Sequence, residues 1–190
     1  MKILSICGSP RKGNCETILL KMQELLKARG ADNEIVLLRE KDIGRCRGCV
    51  EYCNHTLECR IHDDMQEIMK QMEGADGFIF ISPNYFKMPT GLFKDFMDRC
   101  SIFYTAGKEE QFSKKKTAVI AIGTDSVENI DVCLTNIAEN FARTIGLHVV
   151  SMQSFRSHSE LKGNYNDIFE SGLNPGMEDV LEKMAEGLCG

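Results

Sequence analysis

The chain of 190 residues is 43% hydrophobic, has a formal net charge of -5 and contains 9 cysteines. This is enough apolar content for one full core and rather little for two. An acidic surface argues against nucleic acid or an anionic membrane as the main partner, and no apolar run approaches the length that spans a bilayer. No signal-like segment follows Met1-Lys2, so the expectation is a cytoplasmic protein whose cysteines are reduced thiols, ligands or redox groups.

In chain order, Ile3 to Cys7 is an apolar, strand-like run, and Asn14 to Arg29 carries Ile18, Leu19, Met22, Leu25 and Leu26 at helical spacing, with Gly30 as a stop. Glu34 to Leu38 reads as a second strand, and Glu40 to Ile61 as a connection longer than a plain crossover needs. Asp63-Asp64 caps a helix through Ile68 and Met72 that ends near Gly74, and Gly77 to Ile81 is a buried strand closed by Ser82-Pro83. Pro89-Thr90-Gly91 opens a helix with Phe93, Phe96 and Cys100 on its buried side, Pro89 suiting its first turn. Thr117 to Ile122 is the next strand, Val127 to Ile145 the next helix, and Leu147 to Met152 a last strand. Ser154 to Asn174 is polar and irregular, and Pro175 to Leu188 is a final helix. Alternating strands and helices imply right-handed βαβ crossovers and an α/β three-layer sandwich, with ligands at the carboxyl ends of the strands. One domain, 1–190, is expected, with a cysteine-bearing insertion at 42–62 and a C-terminal extension at 154–190.

The first strand-to-helix junction, Cys7 to Thr17, reads as a phosphate cradle. Glycines allow a tight reversal, and the helix N-terminus presents N–H groups and positive dipole to an anion. Ser9, Asn14 and Thr17 can donate hydrogen bonds, and Arg11 adds a charge-assisted contact. Gly8 and Gly13 have P-loop spacing, but Asn14-Cys15 replaces the Lys-Ser or Lys-Thr that a nucleoside triphosphate needs. The dinucleotide fingerprint is absent, and Cys7 stands four residues before Arg11, too near for a C-x5-R phosphatase loop. A phosphomonoester such as that of FMN remains.

The loops Ser82 to Met88 and Gly123 to Ser126 are expected to meet this cradle in one crevice. Pro83-Asn84-Tyr85-Phe86 can grip and cover a flat polar ring, or its two aromatic side chains can fold back onto the core. Cys46, Cys49, Cys53 and Cys59 fall within fourteen positions. Their residue types leave three readings: a four-thiolate iron-sulfur cluster, a tetrahedral zinc site, and free or disulfide-bonded thiols. The scattered Cys7, Cys15, Cys100, Cys133 and Cys189 read as small buried apolar residues, with Cys15 also able to contribute to the cradle.

Gly8-Ser9-Pro10-Arg11, Cys46-Arg47-Gly48-Cys49 with Cys59 and Asp63-Asp64-Met65, Ser82-Pro83-Asn84-Tyr85-Phe86, and Lys94-Asp95-Phe96-Met97-Asp98-Arg99 together resemble the NADPH-dependent FMN reductases, in particular the iron-sulfur flavoprotein branch. The resemblance covers about residues 1 to 150. It implies a flavodoxin-like, five-stranded parallel sheet of order 2-1-3-4-5, FMN at its carboxyl edge and a homodimer or homotetramer. It implies that Ser9, Arg11, Gly13, Asn14, Cys15 and Thr17 hold the FMN phosphate, that Pro83, Asn84, Tyr85 and Phe86 contact the isoalloxazine, and that Gly123, Thr124 and Asp125 close the other side. It further implies a [4Fe-4S] cluster on Cys46, Cys49, Cys53 and Cys59, although Val50-Glu51-Tyr52 puts three residues where that branch has two. The activity implied is electron transfer from NAD(P)H or a ferredoxin-like donor to a small acceptor such as a quinone; the alternative is a non-catalytic electron carrier or redox sensor.

Overall fold

The structure is a computed structural model that describes residues 1–157, 167, 169, 172–173 and 175–190. Five strands, β1 (Lys2–Cys7), β2 (Asp32–Leu37), β3 (Gly77–Pro83), β4 (Lys116–Gly123) and β5 (His148–Arg156), form one parallel sheet in the order β2-β1-β3-β4-β5. The expected order is therefore the observed one. After β1 the chain steps out to β2 and then returns to place β3 on the other side, so the carboxyl ends of β1 and β3 flank the switch point.

Alternation along each strand sorts the core into two layers. Ile3, Cys7, Ile79, Ile81, Ala118 and Ile120 pack beneath α1 (Asn14–Ala28) and α8 (Pro175–Cys189). Leu4, Ile6, Phe78, Phe80, Val119 and Ala121 pack beneath α3 (Met65–Gly74), α4 (Gly91–Arg99) and α7 (Val127–Ile137). Central β3 and β4 are covered on both faces, which is why their sequences are apolar without alternation. Among the described residues, no helix is long and apolar enough to cross a membrane.

Several boundaries differ from the periodic reading. The insertion contains a short helix, α2 (Val50–Thr56), that begins beside Cys49 and carries Cys53. Two more short helices, α5 (Ser101–Thr105) and α6 (Glu109–Phe112), follow α4. The helix expected to run to Ile145 changes at Ile137 to a wide π turn over Ala138–Ala142, which carries Phe141 within 5.4 Å of Phe80 in a ring cluster with Phe93 and Phe96. The last strand continues to Arg156, so 154–156 of the stretch expected to be irregular are strand, and most of the rest of 154–174 lies outside the described residues. Thr90, not Pro89, starts α4: its hydroxyl accepts from the Phe93 amide at 3.3 Å.

Candidate functional site

The cradle is built from the ends of β1 and α1. Gly8 continues the sheet by donating its amide to the Ile81 carbonyl at 2.8 Å. Its lack of a side chain serves packing: a Cβ there would lie 2.6 Å from Phe93 Cδ2 on α4. The left-handed backbone that the reversal needs is at Gly13, with φ 138°, and the Gly13 carbonyl accepts the amides of Glu16 and Thr17 at 2.8 and 3.0 Å to start α1. The Ser9 hydroxyl donates to the Arg11 carbonyl at 2.7 Å, and the Thr90 hydroxyl donates to the Gly8 carbonyl at 2.5 Å. The loop is therefore tied to its own turn and to α4.

The three expected loops do converge. Ser9, Arg11, Asn14 and Cys15 form one wall of a cavity of about 160 Å³; Pro83, Asn84 and Tyr85 form a second, and Gly123 and Thr124 a third. Asn84 Oδ1 is buried here and has no hydrogen-bond partner among the described residues. Ile122 and Ser157, absent from the expected set, complete the lining. Ser157 is held by its amide donating to the Gly123 carbonyl at 2.7 Å. It stands one residue past β5, so the rule that ligands gather at strand carboxyl ends would have reached it had the strand been carried to Arg156.

Four expected residues stand elsewhere. Gly13 shapes the turn without lining the cavity, and the Thr17 hydroxyl donates to Asp167 Oδ2 at 2.6 Å. Phe86 and Asp125 line an outer concavity together with Asn84, Tyr85 and Thr124. The Asn129 amide and the Ser126 N–H hold the Asp125 carboxyl below the usual carboxylate range. Tyr85 and Phe86 do not fold back onto the core: Phe86 is 99% exposed, on a backbone with φ 53° followed by Lys87 at φ 66°. A bulky residue in that region is strained, and here paired amide–carbonyl bonds between Tyr85 and Met88 enforce it.

The cysteine insertion hangs from a buried ion pair that the residue pattern did not reveal. Arg99, fully buried, reaches Asp63 at 2.6 and 3.0 Å and also donates to the carbonyls of Gly44 and Ile61 at 2.8 and 3.2 Å. Asp63, expected only to cap α3, does accept the Met65 amide at 3.0 Å, and accepts the Gly44 amide at 2.8 Å as well. Burial would raise the Asp63 carboxyl, but the guanidinium and these amides outweigh it and hold it low. A signal was present in the chain: Arg99 follows Phe96 by one helical turn, on the face that buries Phe93 and Phe96.

Within the insertion, burial and then the neighbouring Cys49 thiol raise the Cys53 thiol. Cys59 lies in the field of the Arg99 guanidinium. Cys46 is exposed and the other three are half-buried. Among the described residues, no group of three or more His, Cys, Asp or Glu side chains is placed to hold a metal ion. Of the scattered cysteines, Cys7, Cys15, Cys100 and Cys133 are buried as expected and Cys189 is half-buried; burial pushes the Cys133 thiol up to about 12.

Sheet order and a cavity at the switch point define a flavodoxin-like α/β protein. The family model described as NADPH-dependent FMN reductase matches residues 1–160, and the chain belongs to that family of FMN-dependent oxidoreductases. An iron-sulfur flavoprotein of Archaeoglobus fulgidus is 32% identical over 135 residues, covering 71% of this chain and 68% of the relative. One of Methanosarcina thermophila is 35% identical over 124 residues, covering 65% of this chain and 63% of the relative. In fold, the chain is similar to an FMN-dependent NADH-azoreductase of Bacillus anthracis in complex with FMN, with a TM-score of 0.68, 13% identity and full coverage of both chains.

Proposed function

We propose that this protein holds FMN in the switch-point cavity and passes electrons from NAD(P)H or a reduced electron-carrier protein to a small acceptor such as a quinone. The observation that carries the reading is one cavity with an anion loop on one wall and the unpartnered, buried Asn84 Oδ1 on another. An orphaned buried acceptor implies a donor from a ligand. Flavins carry an imide N–H as well as a phosphate, so the residues present fit the cofactor.

Ser9, Arg11 and Asn14 are the phosphate side of this reading, Arg11 supplying charge and the first turn of α1 its amides. Asn84 offers its acceptor to the ring edge, while Pro83 and Tyr85 shield that edge from water. Gly123, Thr124 and Ser157 form the opposite wall. The flavin, when bound, supplies the hydride and single-electron chemistry; the protein supplies orientation and hydrogen bonds.

The four insertion cysteines are the proposed ligands of a [4Fe-4S] cluster. Four soft donors in one loop suit it, and relatives over 30% identical bear the name iron-sulfur flavoprotein. The test is anaerobic purification with iron supplied, followed by an absorption spectrum, iron and sulfide analysis, and steady-state oxidation of NAD(P)H with a quinone present. Flavin bands with turnover are the expected result. Protein that takes up no FMN would overturn the cofactor reading; flavin without turnover would favour the carrier alternative; absence of iron and sulfide would remove the cluster.

A further inference from the structure

A strained turn holds an aromatic ring in the open at the mouth of the cavity. Tyr85 and Met88 exchange both amide–carbonyl hydrogen bonds, at 2.9 and 3.0 Å, around Phe86 and Lys87, whose φ values of 53° and 66° are both left-handed. A two-residue turn of this kind favours Asn-Gly or Gly-Gly, because a bulky side chain is crowded there. Here phenylalanine takes the first place, and burial gives nothing in return, since Phe86 is 99% exposed. The turn is braced instead from α7: Asn136 Nδ2 donates to the Lys87 carbonyl at 3.1 Å and reaches Met88 Sδ at 3.3 Å, while Asn136 Oδ1 accepts from Asn140 at 2.9 Å. None of these contacts involves the Phe86 ring, so its place does not depend on its own packing. Strain upheld by the surrounding structure gathers where ligands are gripped.

We propose that the outer concavity seats the electron acceptor, a flat aromatic molecule such as a quinone, and that Phe86 is the platform on which it stacks. The concavity encloses about 650 Å³, within the range that holds small organic ligands, and shares Asn84, Tyr85 and Thr124 with the cavity assigned to FMN. The two spaces therefore adjoin. Phe86 lines only the outer one, which separates its role from that of Tyr85, which lines both. Aromatic faces from Phe86 and Tyr85 suit a flat ring, and Thr124 and Asn84 bring the hydroxyl and amide N–H from which a quinone carbonyl accepts. Electron transfer to a molecule seated here rests on the cofactor reading above; its stacking on Phe86 does not.

The test reduces FMN-loaded protein anaerobically with dithionite and mixes it with duroquinone, whose fully substituted ring spares the cysteines, or with ferricyanide, which needs no ring contact. Flavin absorption reports reoxidation. The rate should saturate with duroquinone, and Phe86→Ala should raise the half-saturating concentration about tenfold, lowering the ratio of duroquinone to ferricyanide rates. Phe86→Tyr, which keeps a ring, should restore it. Phe86→Gly should lose duroquinone as the alanine variant does and yet unfold at higher urea, because it relieves the turn; a residue that served structure alone would not join a gain in stability to a loss of acceptor. In protein with ring-labelled phenylalanine, the Phe86 resonance, identified by its absence from Phe86→Leu, should shift when duroquinone is added.

Equal half-saturation in Phe86→Ala and wild type, an equal loss with ferricyanide, or an unmoved Phe86 resonance would each overturn the proposal. So would a change of solution mass in Phe86→Ala measured by light scattering, because the ring would then be covered by a second copy of the chain. If the protein takes up no FMN, the cofactor reading fails, and the Phe86 resonance alone still decides the platform.

Discussion

The cradle and the cysteine insertion are both loops with proposed cofactor roles, yet they are held in opposite ways. The cradle is formed by its neighbours: β1 and α1 fix its ends, Thr90 ties Gly8, and Ser9 closes on Arg11. The insertion has no fully buried side chain in its own helix α2; Ile43 and Cys53 pack half-buried against the core, and Arg99 holds its ends at the Gly44 and Ile61 carbonyls. The difference is one of core. A loop seated on strand ends inherits the rigidity of the sheet, whereas a loop outside it rests on polar anchors and a few half-buried contacts such as Ile43 and Cys53.

The largest expected effect comes from removing the anchor. Arg99→Met leaves the Asp63 carboxylate buried and unpaired, and Asp63→Asn leaves the guanidinium so; either should cost about 3–5 kcal/mol in urea unfolding and speed alkylation of Cys46, Cys49, Cys53 and Cys59. Equal alkylation rates in variant and wild type would show that the insertion is ordered by something else. The sign of the pH dependence follows from the lowered Asp63 carboxyl: its contribution is present above the unfolded value of about 3.9 and is lost as pH falls through the still lower folded value. The stability gap between wild type and Asp63→Asn should therefore narrow below about pH 4, measured as unfolding midpoints across that range.

In the cradle the expected loss is in binding. Arg11→Ala should weaken FMN by about 1.5–3 kcal/mol, on the order of tenfold to a hundredfold in Kd, with the unfolding midpoint of the apoprotein little moved. FMN titrations of both proteins decide it, and an unchanged Kd would remove Arg11 from the phosphate. The smallest effect is assigned to Thr90→Ala, which deletes the α4 cap and the tie to the Gly8 carbonyl. A stability loss of about 0.5–2 kcal/mol is expected, with FMN affinity nearly kept if strand and helix alone suffice to form the cradle. A tenfold rise in Kd would show that α4 helps to shape it.

Sequence by itself determined the alternation of apolar strands and amphipathic helices, hence the parallel sheet, and it placed Ser9, Arg11, Asn14, Asn84 and Thr124 at strand ends. Those inferences are local: a period of two or 3.6, a glycine after a strand and a cap before a helix act within a few residues. Tertiary structure decided what depends on two distant segments meeting. Asp63 read as a cap until Arg99, 36 residues later and beyond α3 and β3, was seen beside it. Gly8 read as a turn residue until Phe93 was seen to need its space. Each such contact joins residues whose separation along the chain carries no periodic signal, because only the packing of one element against another brings them within reach.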